Sequence, residues 1–240
     1  MKLADISLKK NVKYNEHLHP KVWDDKDKLK PEIRKKLIEI AEAFVEFLEV
    51  PASTVEDYLV VGSIANYNWN QYSDIDLHIL MDFQKAGDSC NEEITEEWLM
   101  AKKALWIERF DIEVDGLPVE VGPQDISVKL NSAAVYSILE NSWVKKPTRK
   151  EPELDENSYD KKLKEMLAKV EKAMGPKSTS KEISELRQEL KDMRQTSLNL
   201  KAGGTEFSTN NLVYKTLRNQ GYVDKLKALQ DEKQSEELSL

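Results

Sequence analysis

The stretch Ser73-Asp-Ile-Asp-Leu-His-Ile-Leu-Met81 constrains the fold more than any other part of the chain. Polar and apolar residues alternate from Asp74 to Ile79, the pattern of a strand with one buried face. Residues 74–81 therefore read as a strand. Side chains alternate across a strand, so Asp74 and Asp76 share one face while Ile75 and Leu77 point into a core. Two carboxylates held about 7 Å apart along a strand repel each other. A divalent cation supplies a reason to hold them there. Mg²⁺ takes hard oxygen ligands, commonly one or two carboxylates together with substrate phosphates. Two such ions can clamp the attacking and leaving oxygens of an in-line phosphoryl displacement.

The residues just before complete the pattern. Tyr58-Leu-Val-Val61 reads as a buried strand, and Gly62-Ser63 turns the chain into a short helix or loop over 64–71. Glycine lets a backbone approach a phosphate closely. The Ser63 hydroxyl and amides at the start of a helix can donate to phosphate oxygens. A strand, a Gly-Ser turn and an Asp-x-Asp strand together form a triphosphate-and-metal site.

A third carboxylate is sought on the next strand pair. Residues 110–114 and 117–121 flank Asp115-Gly116, a strong hairpin turn signal. A two-residue turn there sets Val114 opposite Leu117, Ile112 opposite Val119 and Phe110 opposite Val121. Asp111, Glu113 and Glu120 then share the other face. Glu120 and Asp111 are the rival candidates. The role of either is metal binding, or accepting the proton of an attacking hydroxyl as general base.

The run from Val60 to His78 resembles the signature of the DNA polymerase β-like nucleotidyltransferase superfamily. That signature is a hydrophobic residue, Gly-Ser, a spacer of about ten, then Asp-hydrophobic-Asp-hydrophobic, here Gly62-Ser63 and Ser73-Asp-Ile-Asp-Leu77. The resemblance implies an α+β fold, a mixed sheet with flanking helices, and an enzyme of the EC 2.7.7 type. It implies that Asp74 and Asp76 bind catalytic Mg²⁺ or Mn²⁺. Val119-Glu-Val121 matches the third-carboxylate motif, which favours Glu120 over Asp111. Gly62, Ser63, Asn66 and Ser73 become the nucleotide-binding residues, with an NTP such as ATP as substrate. Further segments resemble a group of predicted nucleotidyltransferases common in bacteriophages. They are Val119-Glu-Val-Gly-Pro-Gln-Asp125, Val135-Tyr-Ser-Ile-Leu139, Trp143-Val-Lys-Lys-Pro147 and the run from Glu206 to Tyr222. One departure stands out. Many small members read Gly-Ser-x-Ala-Arg-Gly where this chain reads Gly62-Ser-Ile-Ala-Asn-Tyr67, so Asn66 offers the phosphates a hydrogen bond without the arginine's charge.

Along the chain, residues 1–30 read as a polar N-terminal segment, 31–147 as the catalytic core and 148–240 as a C-terminal helical domain. Helical spacing of Ile33, Leu37, Ile40, Ala41, Phe44 and Leu48 predicts a helix over 31–50, started by Pro31 and stopped by Pro51. A second helix is predicted over 92–109, with Ile94, Trp98, Leu99, Ala101, Leu105 and Trp106 facing inward. Residues 134–139 and 143–144 read as a second hairpin. After a linker at 146–152, helices are predicted over 159–174, 180–202 and 208–219, with Ser208 as N-cap and Gly221 past the end. Residues 231–240 read as frayed. His78 shares the face of Asp74 and Asp76, as a neighbour of the metal or as a supporting histidine. Trp69 and Tyr72 either stack on a base or wedge the loop before Asp74. Tyr214, Lys215 and Arg218 recur at near-helical spacing, either as cations completing a triphosphate site or as a solvated helix face.

The net charge of −8 is uneven. Residues 1–144 hold 16 Lys+Arg against 27 Asp+Glu, and residues 145–240 hold 20 against 17. Long nucleic acids are held by phosphate neutralisation, so they are not the expected partners of the acidic front. A small molecule, an RNA end or a protein is the expected acceptor. No apolar run approaches the roughly 20 residues that span a bilayer, so no membrane contact is expected. With no apolar signal region and only Cys90 as a thiol, the expectation is a cytoplasmic protein without disulfide or cysteine-bound zinc. The leading function is NMP transfer. A second-messenger synthase or cyclase of the same fold, or an inactive nucleotide-binding module, is the alternative.

Overall fold

The computed structural model describes residues 14–87, 90–130, 132–149, 155–198 and 207–238. They fall into two compact units, Lys13–Lys150 and a second drawn from Glu151–Leu240. The first is built on six strands: β1 (Val55–Val61), β2 (Ile75–Met81), β3 (Glu113–Val114), β4 (Leu117–Asp125), β5 (Val135–Ser137) and β6 (Ser142–Lys145). They lie in the order β3-β4-β2-β1-β5-β6, with β2 and β4 parallel and the other pairs antiparallel. The expected second hairpin is the β5–β6 pair.

Helix α1 (Pro31–Leu48) starts with Pro31, whose missing N–H costs nothing in a first turn. It ends at Glu49, which takes a left-handed conformation (φ 59°) and donates its N–H to the Glu46 carbonyl, two residues before Pro51. Ile33, Leu37, Ala41, Phe44 and Leu48 are buried on one stripe, against Ile75, Leu77, Ile79 and Met81 of β2. Complete burial of one such side chain is worth about 1.5–3 kcal/mol. A four-residue helix, α2 (Phe83–Ala86), is capped by the Asp82 side chain and leads to α3 (Glu92–Arg109), which Asn91 caps through the Ile94 N–H.

Two features of this unit differ from expectation. The segment before residue 31 is part of the core. Leu18, Val22, Trp23 and Leu29 are buried, and Trp23 stacks on Trp143, meets Tyr136 edge-on and donates its Nε1–H to the Ile64 carbonyl at 2.8 Å. Helix α3 buries a narrower stripe than its composition indicated. Thr95, Leu99 and Trp106 are inside, whereas Ile94, Trp98 and Leu105 are 54, 38 and 42 % exposed and Ala101 is also outside. The aromatic contacts decide the rotation, because Trp106 packs edge-on against Phe44 and Phe47 of α1.

The second unit is helical. Its helices are α4 (Glu156–Ala173), α5 (Ser180–Leu198), α6 (Thr209–Asn219) and α7 (Tyr222–Leu238). Tyr159, Leu163, Met166, Val170, Ile183, Val213, Leu217 and Leu226 form its centre. Ser208 caps α6 by accepting from the Asn211 N–H, and Gly221 follows at φ 74°, as the sequence indicated. The tail read as frayed is instead helical through residue 238. The expected extension of α5 to residue 202 and the end of the linker at 150–152 lie outside the described residues. Among the described residues, no helix is long and apolar enough to cross a membrane.

Candidate metal centre

Asp74, Asp76 and Glu120 each present a carboxylate oxygen, and these three oxygens lie within 4.8 Å of one another. Asp74 stands just before β2 and Asp76 two residues on, so strand alternation sends both to one face. Glu120 arrives by a different route from the one expected. It is the direct partner of Asp76 in the parallel β2–β4 pair. Asp111 does not join the group. Helix α3 persists to Arg109, the Phe110 N–H caps it on the Trp106 carbonyl, and Phe110 packs its ring on Trp106 and Phe47. The predicted strand over 110–114 shrinks to Glu113–Val114, so Phe110 never opposes Val121 and Asp111 stays exposed. The Asp115-Gly116 turn itself forms, with Val114 opposite Leu117.

The Gly-Ser turn is shaped around Asp76. Gly62 adopts φ 76° and ψ −163°, a region essentially reserved for glycine. A Cβ placed on it would meet Asp76 Oδ2 at 1.9 Å and Cγ at 3.0 Å. The missing side chain is thus the space the carboxylate occupies. The Gly62 N–H donates to Ser132 Oγ at 3.2 Å. Residues 63–65 form a single 3₁₀ turn rather than a longer helix. The Ser63 and Ser73 hydroxyls are 2.9 Å apart, and Ser73 Oγ accepts from the Asn70 N–H at 3.0 Å. This bond ties the turn to the residue before Asp74. Ser73 is buried, as is Asn66, which is only 1 % exposed and whose amide oxygen and nitrogen have no hydrogen-bond partner.

A layer of polar groups continues beside the carboxylates. His78 pairs in register with Gly122, next to the Asp76–Glu120 pair. Burial, helped by the nearby Lys103 ammonium, pushes the imidazole down to about 4 against opposing effects of Glu120 and a hydrogen bond with Gln124. His78 is therefore neutral, and its Nδ1 is enclosed without a partner. Lys103, from α3, reaches Glu120 Oε1 with its Nζ at 2.9 Å.

The other residues singled out in sequence fall elsewhere. Trp69 serves the loop: its Nε1–H donates to the His17 carbonyl at 2.9 Å and its ring meets His19 edge-on at 4.6 Å. Tyr72 is exposed. Tyr214, Lys215 and Arg218 sit on α6 of the helical unit, where Tyr214 is buried beneath the Arg194 guanidinium and the two cations are half-buried. Lys103, Gly122 and Ser132 escaped the sequence reading. Lys103 did leave a signal: it stands four residues after Leu99 and three before Trp106, a charge within the buried stripe of its helix.

The donor set suits a hard divalent ion. Oxygens on one Mg²⁺ lie about 3 Å apart when adjacent and about 4 Å apart when opposite, from bonds of 2.0–2.1 Å. Three carboxylate oxygens within 4.8 Å close on such an ion by small side-chain rotations. Two carboxylates at that separation repel by on the order of 3 kcal/mol at the effective dielectric constant near a protein surface, a cost that the Lys103 ammonium offsets only at Glu120.

No family model matches the chain, and no curated protein matches it. The likeness to bacteriophage enzymes therefore rests on the motifs alone. Among solved structures, a STING-associated CdnE c-di-GMP synthase from Capnocytophaga granulosa is similar at 15 % identity, over 87 % of this chain and 84 % of that one, with a TM-score of 0.25. At that TM-score nothing is transferred from it to this chain.

Proposed function

We propose that this protein is a divalent-metal-dependent nucleotidyltransferase that moves a nucleoside monophosphate from an NTP to an acceptor hydroxyl. The observation that carries the reading is the meeting of Asp74, Asp76 and Glu120 around one point, with Asp76 seated in the space left by Gly62. One carboxylate just before a strand, one on it and a third on its parallel neighbour are an unfavourable arrangement that a bound divalent ion would relieve.

In this reading Asp74, Asp76 and Glu120 are the metal ligands, for Mg²⁺ or Mn²⁺. A bound ion would polarise the α-phosphate and ease ionisation of the acceptor hydroxyl. The acceptor oxygen attacks the α-phosphorus, the bond to the bridging oxygen of the β-phosphate breaks, and pyrophosphate leaves. The acceptor's proton passes to a carboxylate of the cluster or to water. Gly62 and Ser63 receive the phosphates, with the Ser63 hydroxyl as donor and Ser73 bracing it. Asn66 becomes a phosphate ligand by turning out of its buried position, which relieves its unpaired amide. For Tyr214, Lys215 and Arg218, a role toward the triphosphate is carried from the sequence alone.

The acceptor class is a small molecule, an RNA end or a protein. Incubation of the protein with each α-labelled NTP and Mg²⁺, alone or with tRNA or candidate proteins, tests this. Label on an added acceptor is the expected result. Pyrophosphate released without any acceptor assigns the protein to second-messenger synthesis instead. No calorimetric NTP binding in the presence of Mg²⁺ overturns the enzymatic reading.

A further inference from the structure

Lys103 belongs to none of the expected motifs, yet its ammonium and the outer part of its stem each meet a residue of β4. The Nζ lies 2.9 Å from Glu120 Oε1, with the side chains of Lys103 and Glu120 only 26 and 33 % exposed. The stem runs along Gly122, two residues further on β4. A Cβ at Gly122 would meet Lys103 Nζ, Cδ and Cε at 2.9, 3.1 and 3.1 Å. A glycine at 122 leaves that lane open, where any larger residue would shift the end of the lysine. A lysine on an ordinary solvated helix face has no such channel and gains little from its ion pairs.

The placement bears on the cation. The cluster concentrates three negative charges within 4.8 Å, and the Lys103 ammonium opposes one of them. It does so on Glu120, whose carboxylate a metal ion held by the cluster would share. An ammonium there stands roughly 5 Å from an ion held by the cluster. At that distance a unit charge weakens binding of a divalent ion by at least about ten-fold, even at the dielectric constant of water.

We propose that Lys103 is the counter-charge of the carboxylate cluster: it holds Glu120 in place and keeps a free divalent ion weakly bound, so that the ion is retained together with the nucleotide's phosphates. This rests on the metal-site reading above. The triphosphate brings the negative charge that the lysine has offset, and Mg²⁺ sites made of few carboxylates are completed by substrate oxygens in this way. Lys103 is a positioning residue, acting through Glu120 rather than on the substrate.

The test is Mn²⁺ binding by calorimetry at low salt without nucleotide, with melting in EDTA and in Mn²⁺ alongside. The account expects Lys103→Met to bind Mn²⁺ at least about ten-fold more tightly than the wild-type protein. It should melt lower in EDTA and gain more from Mn²⁺. Lys103→Arg, which keeps the charge, should stay near wild type. Lys103→Gln keeps a donor without the charge and should show the same tightening, which covers a methionine variant that fails to fold. Equal or weaker Mn²⁺ binding in the uncharged variants, with the wild-type protein binding normally, overturns the counter-charge role alone. A wild-type protein with no Mn²⁺ binding, or with binding that Asp74→Ala/Asp76→Ala leaves intact, overturns the metal-site reading and this role with it.

Discussion

Replacing Gly62 by alanine tests the geometry of the site at its tightest point. The backbone there has φ 76° and ψ −163°, and holding a non-glycine residue in that region costs roughly 1–3 kcal/mol. The new Cβ would also lie 1.9 Å from Asp76 Oδ2, so the carboxylate must move by more than about 1 Å to reach van der Waals distance. A displacement of that size costs about 100-fold where geometry controls reaction. Gly62→Ala should therefore lose about 2–4 kcal/mol of stability and at least about 100-fold in metal-dependent turnover. Urea unfolding and Mn²⁺ calorimetry measure the two effects. The clash and the backbone strain separate in a double-mutant cycle, because Asp76→Ala removes the carboxylate but leaves φ unchanged. The stability lost to Gly62→Ala should be smaller in the Asp76→Ala background. Strictly additive losses, or Gly62→Ala protein that binds Mn²⁺ as tightly as wild type, would refute the contact.

The remaining predictions concern His78 and α3. Because burial lowers His78 from 6.5 to about 4, the unfolded chain binds a proton between those values that the folded one does not. Stability from this group is complete above pH 6.5, falls as the pH drops toward 4 and is flat below, a loss of about 3 kcal/mol. In EDTA, His78→Gln should flatten the pH dependence of urea unfolding over that window, and identical slopes for the two proteins would contradict it. On α3, Leu99→Ala should cost about 2–5 kcal/mol, whereas Trp98→Gln, which gives up a partly exposed ring and its contact with Lys102, should cost no more than about 1.5 kcal/mol. A large loss at Trp98 would mean that its face is covered.

The legible parts of this chain were those written in local periodicity. Alternation around Ile75 and Leu77 placed Asp74 and Asp76 on one face, and the 3.6-residue repeat of Ile33, Leu37, Phe44 and Leu48 placed α1. What could not be read was contact between distant segments. The parallel pairing that sets Glu120 beside Asp76 joins strands more than 40 residues apart in sequence and leaves no local trace. Helix α3 carries two apolar stripes, and only the tertiary contact of Trp106 with Phe44 and Phe47 selects between them. Residues 14–30 hide four core side chains, Leu18, Val22, Trp23 and Leu29, in a polar, aperiodic segment whose strand pairing is limited to an isolated Trp23–Leu29 bridge. The part misread was the strand over 110–114, not the preference for Glu120 over Asp111. The Asp115-Gly116 turn and the end of the preceding helix at Arg109 were correctly placed, but Phe110 caps that helix and packs on Trp106 and Phe47, which takes it out of the sheet.

The central claim is that three carboxylates hold the ion for NMP transfer. Pyrophosphate release from NTP together with the acceptor that takes the label, in Mg²⁺ and in EDTA, by the wild-type protein and by Asp74→Ala/Asp76→Ala, tests it most directly. The account predicts Mg²⁺-dependent release by the wild-type protein and none by the double variant, which keeps the wild-type circular dichroism spectrum. Equal release by the two proteins, or release that persists in EDTA, would contradict it.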